Sequence, residues 1–383
     1  MIVGITKETF KGEKRVALIP DSVQSISKIG CELLIEKGAG VEAGFTNEEY
    51  IAKGARIAKS RSEVFNNSDI IAQVRGLGAN IDGYAADLEL MKEGQVVVGL
   101  FEPLYAPNVI AEAAARGIVA FSMELMPRIS RAQSMDILSS MATIAGYKAV
   151  LIAAEKLNKI FPMLMTAAGT LLPAKVFVIG GGVAGLQAIA TSKRLGAVVQ
   201  AYDVRAAVKD QVESLGAKFV ELKIDSEQSE DEGGYAKEMD ENFYNNQRML
   251  MSNILRGSDV VISTASVPGK KAPILITEEM VKEMPRDAVI IDLAAEKGGN
   301  CELTQLNKSV RKHSVTIIGP GNLPSEIPCH ASQLYAKNIS NFLASLVKES
   351  HINIDMGDEI LKGTLLTRGG KVVNGHVLNA LES

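Results

Sequence analysis

Two doubly wound α/β domains separated by a cleft, one of them discontinuous along the chain, are what this sequence predicts. Three observations carry that prediction. Short apolar runs alternate with helical patterns through the first third of the chain, which is the arrangement of a parallel sheet covered on both faces. A second alternation opens at Lys175 with an apolar run, a cluster of glycines and a helical pattern. A last helical pattern, 334–347, arrives after that second alternation already has its strands, so it returns to pack on the first domain. The expected boundaries are 1–130, completed by 322–383, for the first domain and 131–321 for the second.

Taken in order, 3–6, 16–19, 32–35, 70–74, 96–100 and 118–122 read as strands, and 22–29, 48–53 and 108–116 as helices. From Asp136 to about Asn158, Ile137, Met141, Ile144, Ala145, Ala149, Ile152 and Ala153 recur at helical spacing, so one long helix joins the domains. Beyond it, 175–180, 198–203, 218–222, 259–265, 288–293 and 315–319 are the strands a dinucleotide-binding, Rossmann-like domain needs.

Composition excludes several classes. The 383 residues, 46% hydrophobic and 22% charged, describe a soluble globular protein with ordinary cores. A net charge of −4 gives no basic field for nucleic acid. No apolar run approaches the ~20 residues that span a bilayer, and residues 1–8 read as a strand and not as a signal peptide, so a cytoplasmic setting is expected. Cys31, Cys301 and Cys329 form no closely spaced pair, so neither a metal site nor a disulfide framework is indicated.

The chemistry concentrates around Val176-Phe-Val-Ile-Gly180-Gly-Gly182-Val-Ala-Gly185. A strand runs into Gly180, which permits the sharp turn; Gly182 lets backbone approach a pyrophosphate; Gly185 lets the following helix pack against the strand. The phosphates then meet the N–H groups and positive dipole end of that helix. Lys193 and Arg194 close the helix and Gly196 stops it. The next apolar run ends at Asp203, where a carboxylate can accept from both adenosine ribose hydroxyls. This is an NAD site. Asp203 opposes the 2′-phosphate of NADP by like charge, whereas Arg205 could receive one.

Two other stretches bear on function. Residues 223–246 are acidic and contain a Gly-Gly pair followed by Tyr235, the composition of a lid or of a solvated insertion. Residues 266–273 follow a strand at its carboxyl end and so lie over the cofactor crevice. In Pro127-Arg-Ile-Ser-Arg-Ala-Gln-Ser-Met-Asp136, Ser130 with Gln133 fits a capping box and Asp136 suits a helix N-terminus; the same residues could orient a nicotinamide carboxamide and ribose.

Arg128-Ile-Ser-Arg-Ala-Gln-Ser-Met-Asp-Ile-Leu-Ser-Ser-Met-Ala-Thr-Ile-Ala-Gly-Tyr147, the glycine turn with Asp203-Val-Arg205, Val267-Pro-Gly-Lys-Lys-Ala-Pro273 and Asn322-Leu-Pro-Ser325 resemble the NAD(H)-binding alpha component of the proton-translocating nicotinamide nucleotide transhydrogenases. The resemblance covers essentially the whole chain. Lys7-Glu8 and Glu13-Lys-Arg-Val-Ala17 are shared with the related alanine dehydrogenases. The resemblance implies that Arg128, Gln133, Asp136 and Ser139 surround the reacting nicotinamide. It implies further cofactor contacts from Ile129, Ser130, Val183, Val204, Arg205, Gly234, Tyr235, Gln247, Ala265 and Ser266. It also implies a homodimer, NADP(H) on a separate beta subunit, a membrane-spanning subunit that moves protons, and peripheral association with the inner membrane through those partners.

One departure separates the two activities. Alanine dehydrogenases need a histidine from the first domain, because an amine or carbonyl substrate exchanges a proton as well as a hydride. This chain's histidines are His313, His330, His351 and His376, so the first domain's leading segment has none; Gly99-Leu-Phe-Glu-Pro103 and Val74-Arg75 stand where that family places its histidine and substrate lysine. Arg15 remains as a residue that could bind a carboxylate. Hydride exchange between two nicotinamides needs no proton, only a dry and aligned contact.

Overall fold

The computed structural model describes residues 1–221, 241–267 and 269–382. The chain forms two compact units, 1–141 with 324–383, and 142–323. Residues 131–141, assigned above to the second domain, fall in the first unit.

The first unit is built on six parallel strands: β1 (Ile2–Ile5), β2 (Glu32–Glu36), β3 (Arg56–Ala58), β4 (Ile70–Arg75), β5 (Val96–Leu100) and β6 (Val119–Ser122), in the order β3-β2-β1-β4-β5-β6. Their side chains are apolar on both faces, since helices cover both: Val3, Ile5, Ile71, Val97 and Ala120 are all buried. Two strand expectations need correction. Residues 16–19 are buried but irregular, because side chains satisfy their backbone: Ser332 Oγ accepts from Val16 N at 3.0 Å, and Leu18 O accepts from Tyr50 Oη at 2.8 Å. The missing sixth strand is β3, three residues long and at the sheet edge, too short to show a period.

The C-terminal return belongs to the same core. Helix Pro328–Leu346 buries Tyr335, Ile339, Phe342 and Leu343, with Phe342 edge-on to Phe121 at 5.5 Å. Thr367 then completes β6, its Oγ1 accepting from Ala120 N and donating to Ile118 O.

The second unit opens with the hairpin β7 (Leu164–Thr166) and β8 (Gly169–Leu171). A sheet follows with β9 (Lys175–Ile179), β10 (Val198–Tyr202), β11 (Lys218–Phe219), β12 (Val260–Ser263), β13 (Val289–Asp292), β14 (Lys308–Lys312) and β15 (Val315–Gly319), ordered β11-β10-β9-β12-β13-β15-β14. All pairings are parallel except β14 on β15. The sequence reading lacked β14, whose Lys-Ser-Val-Arg-Lys is polar because it is an exposed edge; positive φ at His313 and Ser314 makes the tight reversal into β15.

The long helix runs Ile137–Lys156. Against the expectation that no such segment exists, it is long and apolar enough to cross a bilayer by length and composition, with mean hydropathy 1.6. Lys148 sits inside it, and its second half has another use: Ala149, Val150 and Ala153 are fully buried in the second unit's core. Gly146 lets it press on the helix after β9, since a Cβ there would lie 2.2 Å from Ala184 O.

Candidate functional site

At the end of β9 the three glycines each meet a separate demand. Gly180 turns with φ 101°, a left-handed conformation open to glycine, while its N–H continues the sheet to Tyr202 O at 2.8 Å. A Cβ on Gly185 would lie 1.8 Å from Gly180 O, so the helix Val183–Arg194 can rise this close to the turn only without a side chain there. A Cβ on Gly182 would meet open space. Gly182 caps that helix in extended conformation with no side-chain cap, so Val183 and the next residues present first-turn N–H groups to whatever lies outside. The turn therefore fits a pyrophosphate: open space, uncapped donors and the positive end of a twelve-residue helix.

Asp203 lies at the end of β10, 8% exposed. Its Oδ2 accepts from Gly181 N at 2.6 Å, tying the acid to the glycine turn. Gly181, which the motif alone does not single out, is thereby joined to the candidate site. A Cβ on it would lie 2.2 Å from Val208 Cγ1, so Gly181, like Gly180, has no room for a side chain. Arg205 closes a fork on Asp203: its backbone N and Nε reach Oδ1 at 2.8 and 2.9 Å, and its Nη2 reaches Oδ2 at 2.9 Å. The arginine considered above as a phosphate receptor is thus held against the acid. Val204, between them, packs partly on the core.

Gln247 and Ala265 belong to the same end of the sheet. Gln247, 1% exposed, donates from Nε2 to Tyr202 Oη at 2.9 Å, and burial pushes the Tyr202 hydroxyl up to about 12. Its Oε1 has no hydrogen-bond partner among the described residues. Ala265 is held through both backbone groups by Asn300, and Ser266 beside it is exposed. Asn300 and the buried Asp292 carried no motif and escaped the sequence reading. Gly234, Tyr235 and the suspected lid up to residue 240 lie outside the described residues, while its last residues, expected as loop, open the helix Glu241–Leu255.

The Arg128–Ser139 group belongs to the first unit. The expected capping box is not formed. Ser130–Met135 is a short 3-10 helix entered from Ile129 without a side-chain cap, so Ser130 and Gln133 form no box. Asp136 caps the long helix instead, accepting from Ser139 N at 2.9 Å and from Ser139 Oγ at 2.5 Å. Arg131 forks onto Asp358 at 2.8 and 2.7 Å and holds that carboxyl down at about 2. Ser134 O accepts from Asn338 and Asn341 of the returning helix. The segment is pinned at both ends, and Arg128, Ser130 and Gln133 are exposed on it.

Arg15 does not stand open to a carboxylate substrate. It is 3% exposed, and its Nε and Nη2 are paired with Glu13 at 2.8 and 2.7 Å. Arg75 stacks over Phe10, 4.5 Å from the ring centroid, and approaches the same Glu13 at 3.5 Å. Glu8 accepts from Val74 N and Arg75 N; enclosure, then the charge of Glu13, pushes it up to about 8. Glu124, enclosed and facing Glu102, is pushed up to about 7.

Comparison with known proteins bears on both units. Residues 4–145 match the model of the alanine dehydrogenase/PNT N-terminal domain and 149–375 that of its C-terminal domain. The chain is 47% identical over 377 residues to the first part of NAD(P) transhydrogenase subunit alpha from Rhodospirillum rubrum, covering 98% of each. It is 43% identical to the namesake of that protein from Rickettsia prowazekii, over 98% of this chain and 97% of that one. Alanine dehydrogenase of Bacillus subtilis is more distant, 28% identical over 98% of this chain and 92% of its own. Among solved structures, a transhydrogenase from Sinorhizobium meliloti superposes with TM-score 0.86 at 41% identity, covering 97% of this chain and all of that one.

Proposed function

The chain belongs to the alanine dehydrogenase/PNT family, and on that footing we propose that it is the NAD(H)-binding subunit of a proton-translocating nicotinamide nucleotide transhydrogenase. The observation that carries the nucleotide reading is the glycine turn tied to Asp203: an uncapped helix N-terminus over open space, with the acid bonded to Gly181 N. Bound there, NADH would give its hydride directly to NADP+ held by a beta subunit, leaving NAD+ and NADPH.

This chain's residues have three tasks in that reaction. The turn and Asp203 hold the adenosine and pyrophosphate. The exposed Arg128, Ser130 and Gln133, on a segment braced by Asp136, Ser139 and the Arg131–Asp358 pair, orient the nicotinamide. Exclusion of water falls to the contact with the partner. No residue needs to move a proton at the reacting carbons, in keeping with the absence of histidine before His313. The locked Arg15–Glu13 pair weighs against the alternative, a free-standing amino-acid dehydrogenase. Proton movement belongs to a membrane-spanning subunit, with this chain peripheral to it.

The partner set includes a second copy. Met165 and Leu172 on the β7–β8 hairpin are 76% and 80% exposed, and a groove of ≈ 840 Å³ at its base is lined by Leu157, Ile160, Phe161 and Leu195. Arm and groove lie on the same chain, so a two-fold exchange covers both at once. Met165→Lys with Leu172→Lys should give monomers by sedimentation; an unchanged dimer removes the hairpin from the interface.

Mixing the chain with an NADP(H)-binding subunit tests the activity. Reduction of NADP+ by NADH, with no NADH oxidation by pyruvate and ammonia, supports the reading. The reverse pattern supports the dehydrogenase.

A further inference from the structure

Two fully buried polar side chains organise the carboxyl ends of β12 and β13. Asp292 closes β13; its Oδ1 accepts from Ser263 Oγ and Ala294 N, both at 3.1 Å, and its Oδ2 from Asn300 N, Cys301 N and Thr304 Oγ1 at 2.8, 3.0 and 2.6 Å. The turn after β13 is thereby fixed on the last residue of β12. Gly299 completes it, with φ 87° and a position where a Cβ would lie 2.8 Å from Asp292 Oδ2.

Asn300 turns its amide the other way. Nδ2 donates to Ala265 O and Pro273 O, both at 2.9 Å, and Oδ1 accepts from Ala265 N at 3.0 Å. Two carbonyls and one N–H define which end of the amide is which. Ala265 and Pro273 are the two ends of the loop that carries Ser266, so one buried side chain closes that loop.

The sheet order says which half of the nucleotide lies there. With the pyrophosphate on the turn after β9 and the adenosine ribose at Asp203 after β10, the other half extends across the switch point, over β12 and β13. We propose that Asn300, oriented by Asp292, is a positioning residue for the nicotinamide half of the cofactor, holding Ala265 and Ser266 in the arrangement that meets it. The inference rests on the nucleotide reading above.

NADH and AMP distinguish positioning from general support, because AMP lacks the nicotinamide half. Both are titrated calorimetrically into the full chain and into Asn300→Ala and Asn300→Asp. In Asn300→Ala, NADH should bind about tenfold more weakly or worse, as expected when buried backbone groups lose their partners, with AMP affinity unchanged. Asn300→Asp keeps the acceptor for Ala265 N but turns an oxygen against Ala265 O and Pro273 O, so it should weaken NADH at least as much, again with AMP affinity unchanged; it also carries the test if Asn300→Ala does not fold. Equal weakening of NADH and AMP, or unchanged NADH affinity, overturns the proposal. If the unaltered chain binds NADH no better than AMP, the nucleotide reading fails first and takes the positioning role with it.

Discussion

Both units lay their parallel strands in one order, with the first strand in the middle and the fourth beside it, yet the chain leaves that first strand by different chemistry in each. After β9 it turns through Gly180, Gly181 and Gly182 directly into a helix, and the helix end stays uncapped. After β1 it travels through Glu8, Phe10, Glu13 and Arg15 before a helix starts at Ser22, and it fills the corresponding space with a buried ion pair and an arginine–aromatic stack. The sheet is the same, but the end after β9 leaves helix N–H groups uncapped beside open space and the end after β1 is filled. Fold class alone therefore does not locate the site, and the turn after the first strand does.

The largest effect is expected at Gly185. Gly185→Ala puts a methyl 1.8 Å from Gly180 O, so NADH affinity should fall about a hundredfold, the scale of ~3 kcal/mol from an over-packed contact. Fluorescence titration with NADH checks it, and retained affinity would mean the turn is not the phosphate site. Of similar size but opposite character, Gln133→Ala should slow transfer to the partner's NADP+ by ~10²-fold while NADH binding stays nearly intact, because misplacing reacting atoms costs rate. Gln133 takes part in no capping box, so the melting temperature should not move; a mutant that melts early and transfers normally would return it to a structural role.

Asp203→Asn should have a smaller effect, weakening NADH by about tenfold and narrowing its advantage over NADPH, as a charged acceptor is lost and Arg205 is released. Competition titration with both nucleotides reads it. The smallest effect falls on the other unit. The raised values of Glu8 and Glu124, about 8 and 7 against an ordinary 4.5, mean that the folded chain holds protons the unfolded chain has released. That stability is present below about pH 4.5 and is lost as pH rises toward 8. Since Glu8 keeps some contact with solvent, the urea midpoint should fall between pH 5.5 and 9 by the equivalent of only about 1 kcal/mol. A midpoint that rises over that range would reverse the assignment.

What could be read from sequence follows the same division. The glycine turn, Asp203 and the parallel strands announce themselves because each is a local pattern: strand, turn, helix, acid. Strand β3 was too short for a period, β14 too polar, and residues 16–19 looked like a strand because they are buried and β-branched at both ends. Asn300, and the pairing of Arg205 with Asp203, escaped for another reason. Their roles come from what faces them, Ala265 and Pro273 in one case and Asp203 in the other, and such pairings leave no spacing to recognise. The Ser130–Gln133 box was plausible by spacing and failed because Asp136 caps the helix one turn later.

The proposed reaction is a direct passage of hydride from a nicotinamide on this chain to one on a partner. It is tested most directly by reacting NADH carrying deuterium at both C4 positions with NADP+ in the assembled enzyme in ordinary water, and analysing the NADPH by mass spectrometry. One deuterium is expected in every NADPH formed. NADPH without the label would mean that the hydrogen had exchanged with solvent through an intermediate carrier, and would contradict it.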